Sequence, residues 1–457
     1  MSESIPAVSG AATILQHCLG LTQGADLLLL VDETALSVVD PFWTAARRLG
    51  INLTTLFYSR EQQLQIEDLG RLDRDALESA EAAILAHTAD DAYSRFRTKL
   101  VSQWRNRTRL ATMPGAEAAI LEIASRSNYA QMSRRCAALT PPLLNGRECV
   151  VTTYSRDGTP FVLRFALGGM DRIPVHSIGI LRGSAWGNVP SGEIFTAPLE
   201  TSADGEYLVD GTIGRHVIDP QDPAVLTFRG GRLVGHRGLT TGNPVPYLRE
   251  VQRFSLDRHD DGWNVIAEFG IGVNEGIDRV WGIPLIDEKI FSTVHIGLGN
   301  NVGWQGVNQA LLHLDVITWR PDVTIDGRSV LQRGSHDFDP GSFDDLETYV
   351  PPPGLAWPEG GLAVKFNRDG YSIQKGRFKI LLRDTQSGRI TEFPIANERT
   401  NAAARRLARL AHGQALDLRR LSVEPDLPSG KDLEALLSLL RTYGVIEPAE
   451  LDRADEG

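Results

Sequence analysis

Two hydrophobic periods meet at Pro141-Pro142, and the change between them limits the folds this chain can reach. Ahead of the prolines, ADLLLLVD (25–32) is the continuous apolar run that a strand covered on both faces requires. DPFWTAARRLG (40–50) reads as a helix stopped by Gly50, and INLTTLFYS as a second strand, so the order is β-α-β. An amphipathic helix over 11–23 precedes them, and AAILAH (82–87) and RLATMPG (109–115) add further parallel strands. Residues 1–115 are therefore expected to form an α/β domain with an open parallel sheet. No GxGxxG or Walker-type loop follows any of these strands, so no nucleotide site is assigned and a scaffold or dimerisation role is preferred.

Past the prolines the pattern shortens and alternates. Over residues 146–340, ECVVTTYSRDGTPFVLRF, EYLVDGTIG, AVLTFRGGRLVG, WNVIAEFGIGVN and PDVTIDGRSVL are separated by DG and GG turns, the signature of a mostly antiparallel β (α+β) domain. Apolar positions at helical spacing (Ala119, Ile120, Ile123, Tyr129, Met132) predict a connector helix within 116–145. Residues 341–457 read as a C-terminal α+β extension: Pro351-Pro352-Pro353, strand-like GLAVKFN, RFKILLRD and RITEFPI, a basic helix at 399–412, and DLEALLSLLRTYGVIEPAEL as a winged-helix-like end serving as an interaction or lid element.

At 457 residues the chain is too long for one simple core and suits two or three domains. Its net charge of −11, with no basic run longer than short pairs such as Arg405-Arg406 and Arg419-Arg420, argues against a nucleic-acid footprint. Cys18, Cys136 and Cys149 lie far apart with no CxxC spacing, which disfavours both a disulfide framework and a thiolate zinc site. Residues 1–20 lack a basic segment followed by a long apolar core, and the run Leu27 to Val31 is far too short to span a bilayer. The expectation is a soluble cytoplasmic protein with no membrane partner.

The chemistry concentrates in IDEKIFSTVHIGLGNNVGWQGVNQALLHLD (286–315), which carries Asp287, Glu288, His295, His313 and Asp315. If His313-Leu314-Asp315 lies on a strand, alternation sends the imidazole and the carboxylate to the same face, where both can reach one ion. The Gly- and Asn-rich NNVGWQGVN suits a turn that brings His295 beside that pair. Two glutamates upstream sit beside turns that can present carboxylates at the mouth of a site: Glu193 in WGNVPSGEIFTAP and Glu268 in VIAEFGIGVNEG. Each residue alone has an ordinary reading: a hydrogen-bonded histidine, a surface glutamate, or a solvated turn at Asp287-Glu288-Lys289. Three carboxylates and two imidazoles together are the inventory of a two-ion centre, in which a bridging carboxylate joins ions that lower the pKa of a shared water. With N and O donors and no thiolate, Zn, Co or Mn are all compatible.

GEIFTAP (192–198), AEFGIGVN (267–274), DEK (287–289), VHIGLGN (294–300) and LHLD (312–315), with YLVDGTIG, GGRLVG and VTIDG, resemble in order the aminopeptidase T type of thermophilic metallo-aminopeptidases. The likeness covers residues 1 to about 335 and is stronger in the β-rich part. It implies metal ligation by Glu193, Glu268, His295, His313 and Asp315. It also implies that Glu288 is the general base, that the substrate is a short peptide or related small amide, and that the protein is a homodimer. Members with a longer insertion carry a tyrosine seven residues after the first histidine, where this chain has Val302. The same phrases are similar to dihydroxypyridine dioxygenases, which would imply one Fe(II) held by His295, His313 and Asp315 and a small (hetero)aromatic substrate. Those enzymes lack the FTAP-block glutamate and have a histidine where Glu268 stands, so Glu193 and Glu268 side with the hydrolases. A third alternative is a peptide-binding accessory protein that grips a partner through the C-terminal extension.

Overall fold

The computed structural model describes residues 5–58, 76–87, 100–101, 108–168, 171–172, 174–181 and 186–336, with short strands beyond. The chain divides into two compact units, Met1–Thr348 and Tyr349–Gly457.

The first unit opens with helix α1 (Ile5–Thr13), and β1 (Asp26–Asp32), α2 (Val39–Leu49), β2 (Asn52–Tyr58), β3 (Ala82–His87) and β4 (Arg109–Pro114) follow. Gly50 ends α2 in the left-handed conformation (φ 67°), which only glycine takes at no steric cost. Residues 116–145 form two helices, α3 (Ala118–Arg126) and α4 (Tyr129–Asn145), where the periodicity predicted one. The break has a local cause: Ser127 is extended, and the Asn128 side chain accepts a hydrogen bond from Gln131 N, so a new helix starts there.

The β-rich part runs through β5 (Glu148–Tyr154), β6 (Pro160–Ala166), β7 (Val175–Ser177), β8 (Trp186–Asn188), β9 (Glu193–Thr196), β10 (Asp204–Val209), β11 (Thr212–Ile213), β12 (His216–Val217), β13 (Ala224–Arg229) and β14 (Arg232–Gly238). Helix α5 (Pro246–Leu256) precedes β15 (Ile266–Gly272), the short α6 (Pro284–Asp287), β16 (Thr293–Gly299), β17 (His313–Trp319), β18 (Asp322–Ile325), β19 (Arg328–Gln332) and β20 (Ser335–His336).

The first sheet is parallel, in the order β2-β1-β3-β4-β8. Its β8 edge comes from the β-rich segment, a strand the sequence pattern did not indicate. The other two sheets pair antiparallel, in the orders β14-β13-β10-β6-β5-β18-β19-β20 and β12-β11-β17-β16-β15-β9-β7. Their apolar faces and α4 share one core: Val151 and Phe165 from one sheet, Phe269, Ile296 and Val316 from the other, and Met132 and Leu139 from the helix. Phe165 and Phe269 meet at 5.1 Å between ring centroids. Strand alternation sends the opposite face of β17, β16, β15 and β9 away from that core, and the polar residues gather there.

In the second unit, Leu362–Phe366 pairs with Leu416–Asp417 and Ile446–Glu450, and Lys379–Asp384 with Tyr371–Lys375 and Ile390–Pro394, all antiparallel. The basic helix expected at 399–412 and most of the expected winged-helix-like end lie outside the described residues. Among the described residues no helix is long and apolar enough to cross a membrane.

Candidate metal centre

Four neighbouring antiparallel strands bring the predicted residues together. On β16, His295 and Gly297 share a face. Across the ladder Gly297 pairs with Asp315 of β17 on one side and Glu268 of β15 on the other. His295 pairs with Gly270, Gly299 with His313, and Gly272 of β15 with Glu193 of β9. Large polar side chains thus alternate with glycines across the sheet. A Cβ on Gly270 would fall 2.0 Å from His295 Nε2, and one on Gly297 2.6 Å from both Glu268 Cβ and His313 Cε1. The imidazoles therefore lie down over their glycine neighbours, which lets their nitrogens approach the carboxylates.

Two donor sets result, Glu193–Glu268–His295 and Glu268–His313–Asp315, each with ligand atoms within 4.8 Å of one another. His295 Nε2 is 3.2 Å from Glu268 Oε1 and 3.5 Å from Glu193 Oε2. His313 Nε2 is 3.5 Å from Glu268 Oε2 and 3.0 Å from Asp315 Oδ1. The two oxygens of Glu268 thus face different imidazoles. Donors about 2.1 Å from a tetrahedral ion stand about 3.4 Å apart, so these separations suit an ion in each set. The His295–His313–Asp315 combination is not among the sets that meet this spacing in the described residues.

The donor set passes a second test of fit. Glu193 Oε2 is buried and has no hydrogen-bond partner. His313 Nδ1 bonds the Asn300 carbonyl at 2.8 Å, which assigns the proton of a neutral ring to Nδ1 and frees Nε2 as a donor to metal.

Glu193, Glu268, Glu288 and Asp315 are all buried, and four carboxylates so close together carry a heavy electrostatic cost unless cations compensate them. Burial pushes Glu288 well above the usual carboxylate range, and the Glu193 charge adds to it. Burial also raises Glu268, against the opposing pull of His295 and His313. Burial acts downward on His313, but Asp315, Glu268 and the hydrogen bond to the Asn300 carbonyl together lift the imidazole to about 9; His295 rises for the same kind of reason through Glu268, Glu193 and Asp315. Burial acts upward on Asp315, but His313, His295 and a hydrogen bond with Glu288 together hold it below its ordinary value. As metal ligands both imidazoles would be neutral.

The Asp287-Glu288-Lys289 turn is buried rather than solvated. Asp287 stands apart from the donor sets, accepting from Trp281 N at 2.6 Å and Gly282 N at 2.8 Å. Lys289, which the sequence reading did not single out, is 0% exposed: Nζ sits 3.0 Å from Glu193 Oε1 and pairs with Glu288 Oε1. The only hint of this role in the sequence is a lysine directly after two acids.

The loop from Asn301 to Asn308 closes one side. Val302 is 54% exposed in the 3-10 turn Val302–Trp304. Trp304 packs edge-on against His313 at 4.9 Å and near Phe195 at 5.9 Å, a second residue missed in the sequence. Glu200 anchors this loop, accepting from Arg172, from Asn301 Nδ2 at 3.0 Å and from Val307 N at 2.8 Å.

No family model matches the chain, and no curated protein matches it. Among solved structures it is similar to the 2,5-dihydroxypyridine dioxygenase of Pseudomonas putida KT2440, with a TM-score of 0.55 and 18% identity, over 74% of this chain and 98% of that one. It is also similar to the wild-type AmpT of Thermus thermophilus, with a TM-score of 0.50 and 16% identity, over 73% of this chain and 99% of that one. The chain therefore shares a fold with both, a remote relationship at the level of architecture.

Proposed function

We propose that this chain is a metal-dependent hydrolase of the aminopeptidase kind, which removes N-terminal residues from short peptides or cleaves a related small amide. The observation that carries the reading is Glu268: its two oxygens serve two donor sets, as a carboxylate bridging two divalent ions must. Glu193 and His295 would complete one set, His313 and Asp315 the other. Bound Zn, Co or Mn would supply Lewis acidity and lower the pKa of water toward neutrality. Glu288, beside both sets but in neither, would take a proton from the attacking water and return it to the leaving amine. Trp304 and the Glu200-anchored loop would shield His313 and narrow the approach to it.

The alternative is a mononuclear iron oxygenase acting on a small aromatic ring, favoured by the fold shared with the dioxygenase. It makes no use of Glu193 or Glu268, the two glutamates that line the cluster.

Metal analysis of chain purified without chelator, paired with a chromogenic amino-acid amide assay, separates these readings. Two equivalents of Zn, Co or Mn with amine release support the hydrolase. One iron with oxygen uptake supports the oxygenase, and peptide binding without metal supports an accessory protein.

A further inference from the structure

We infer that Lys289 is a positioning residue that selects the cation, because it leaves Glu193 a single oxygen with which to bind one. This rests on the metal-centre reading above and concerns a residue that reading leaves unused. The Lys289 ammonium holds Glu193 Oε1 at 3.0 Å, while Oε2 has no hydrogen-bond partner and lies 3.5 Å from His295 Nε2. The same ammonium pairs with Glu288 and keeps that carboxyl beside the cluster.

The backbone fixes the lysine in place. Its carbonyl accepts from Asn274 N at 3.1 Å, and its own N–H bonds the Ile286 carbonyl at 3.1 Å. The chain at Lys289–Ile290 lies so close to β15 that a Cβ on Gly272 would fall 2.0 Å from the Ile290 oxygen. Fully buried, Lys289 has no access to substrate and acts only through the two carboxylates.

Ion chemistry supplies the consequence. Zn takes about four donors at about 2.0–2.2 Å and accepts a carboxylate through one oxygen. Ca takes about six to eight oxygens at about 2.3–2.6 Å and fills that larger shell in part by taking both oxygens of some carboxylates. An ammonium on Glu193 Oε1 removes the second oxygen, so the Glu193–Glu268–His295 set favours the small ion.

The experiment is equilibrium dialysis of the full chain against Zn and Ca, read by elemental analysis, with no activity needed. Lys289→Met frees Glu193 Oε1, and its Zn-to-Ca preference is expected to fall at least about 10-fold. Lys289→Gln keeps an N–H donor for that oxygen and is expected to stay within about 3-fold of wild type. If Lys289→Met does not fold, Glu288→Gln with Lys289→Met removes the paired charge together with the ammonium, and the same shift is expected. An unchanged ratio in the folded Met variant, or an equal shift in the Gln variant, overturns the inference and leaves the metal centre standing. A wild-type chain that takes up neither ion overturns the metal centre itself.

Discussion

Replacing Gly297 by alanine would put a methyl group 2.6 Å from both Glu268 Cβ and His313 Cε1, so the two side chains whose meeting makes the second donor set would have to part. Gly297→Ala is expected to lose bound metal in elemental analysis and to cost about 1–3 kcal/mol in denaturant unfolding, the range for overpacking a tight site. Glu268→Gln is the sharper test of the shared carboxylate. One amide oxygen can serve only one ion, so under the proposed two-ion hydrolase the variant is expected to hold one equivalent of metal or fewer, with activity down by about 100-fold or more. At this scale the sequence was informative about which side chains come together: Glu193, Glu268, His295, His313 and Asp315 converge. It was silent on Lys289 because a lysine in an acidic turn has the same local signature whether solvated or buried. What separates the two cases is the close backbone approach at Gly272.

At the scale of elements, alternation explains why the strands could be read and the loop could not. The alternation read in WNVIAEFGIGVN is that of β15, and VHIGLG and HLD follow the same period in β16 and β17, which meets the condition under which His313 and Asp315 share a face. The Asn301–Asn308 loop has no period; Glu200, about a hundred positions upstream, holds it. Glu200→Ala would leave the buried Arg172 guanidinium unpaired and is expected to destabilise the fold by about 3–5 kcal/mol. Its loop is also expected to be cut faster in limited proteolysis.

On β7, His176 meets Thr140 Oγ1 at 2.6 Å, and burial pushes its imidazole down to about 4. The unfolded imidazole titrates near 6.5, so the native state resists a proton that the unfolded chain accepts. Stability is then full above about pH 6.5 and falls as pH drops toward 4, by at most about 1.4 kcal/mol per pH unit. In urea unfolding at a series of pH values, His176→Gln is expected to flatten that acid slope.

For the whole molecule, ion binding and folding are linked because the donor sets exist only when four strands are in register. Saturation at about 100 times the dissociation constant would add about 2.7 kcal/mol, so EDTA is expected to lower Tm by several degrees. A Glu268→Gln chain should respond to EDTA much less. The division at Thr348 gives a further expectation: residues 1–348 alone should fold and keep the metal, measured by circular dichroism and elemental analysis. Loss of metal from the truncated chain would overturn that expectation.

The sequence by itself determined the local quantities: the strand periods, the parallel-then-antiparallel order, and which acids and histidines stood as candidate donors, because period and residue type are properties of neighbouring positions. Tertiary structure decided how those donors divide. Glu268 faces two imidazoles, Asp287 turns away to cap a turn, and Lys289 lies inside. Each depends on strand register and on glycines opposite bulky side chains, contacts between residues far apart in the chain that no local pattern encodes.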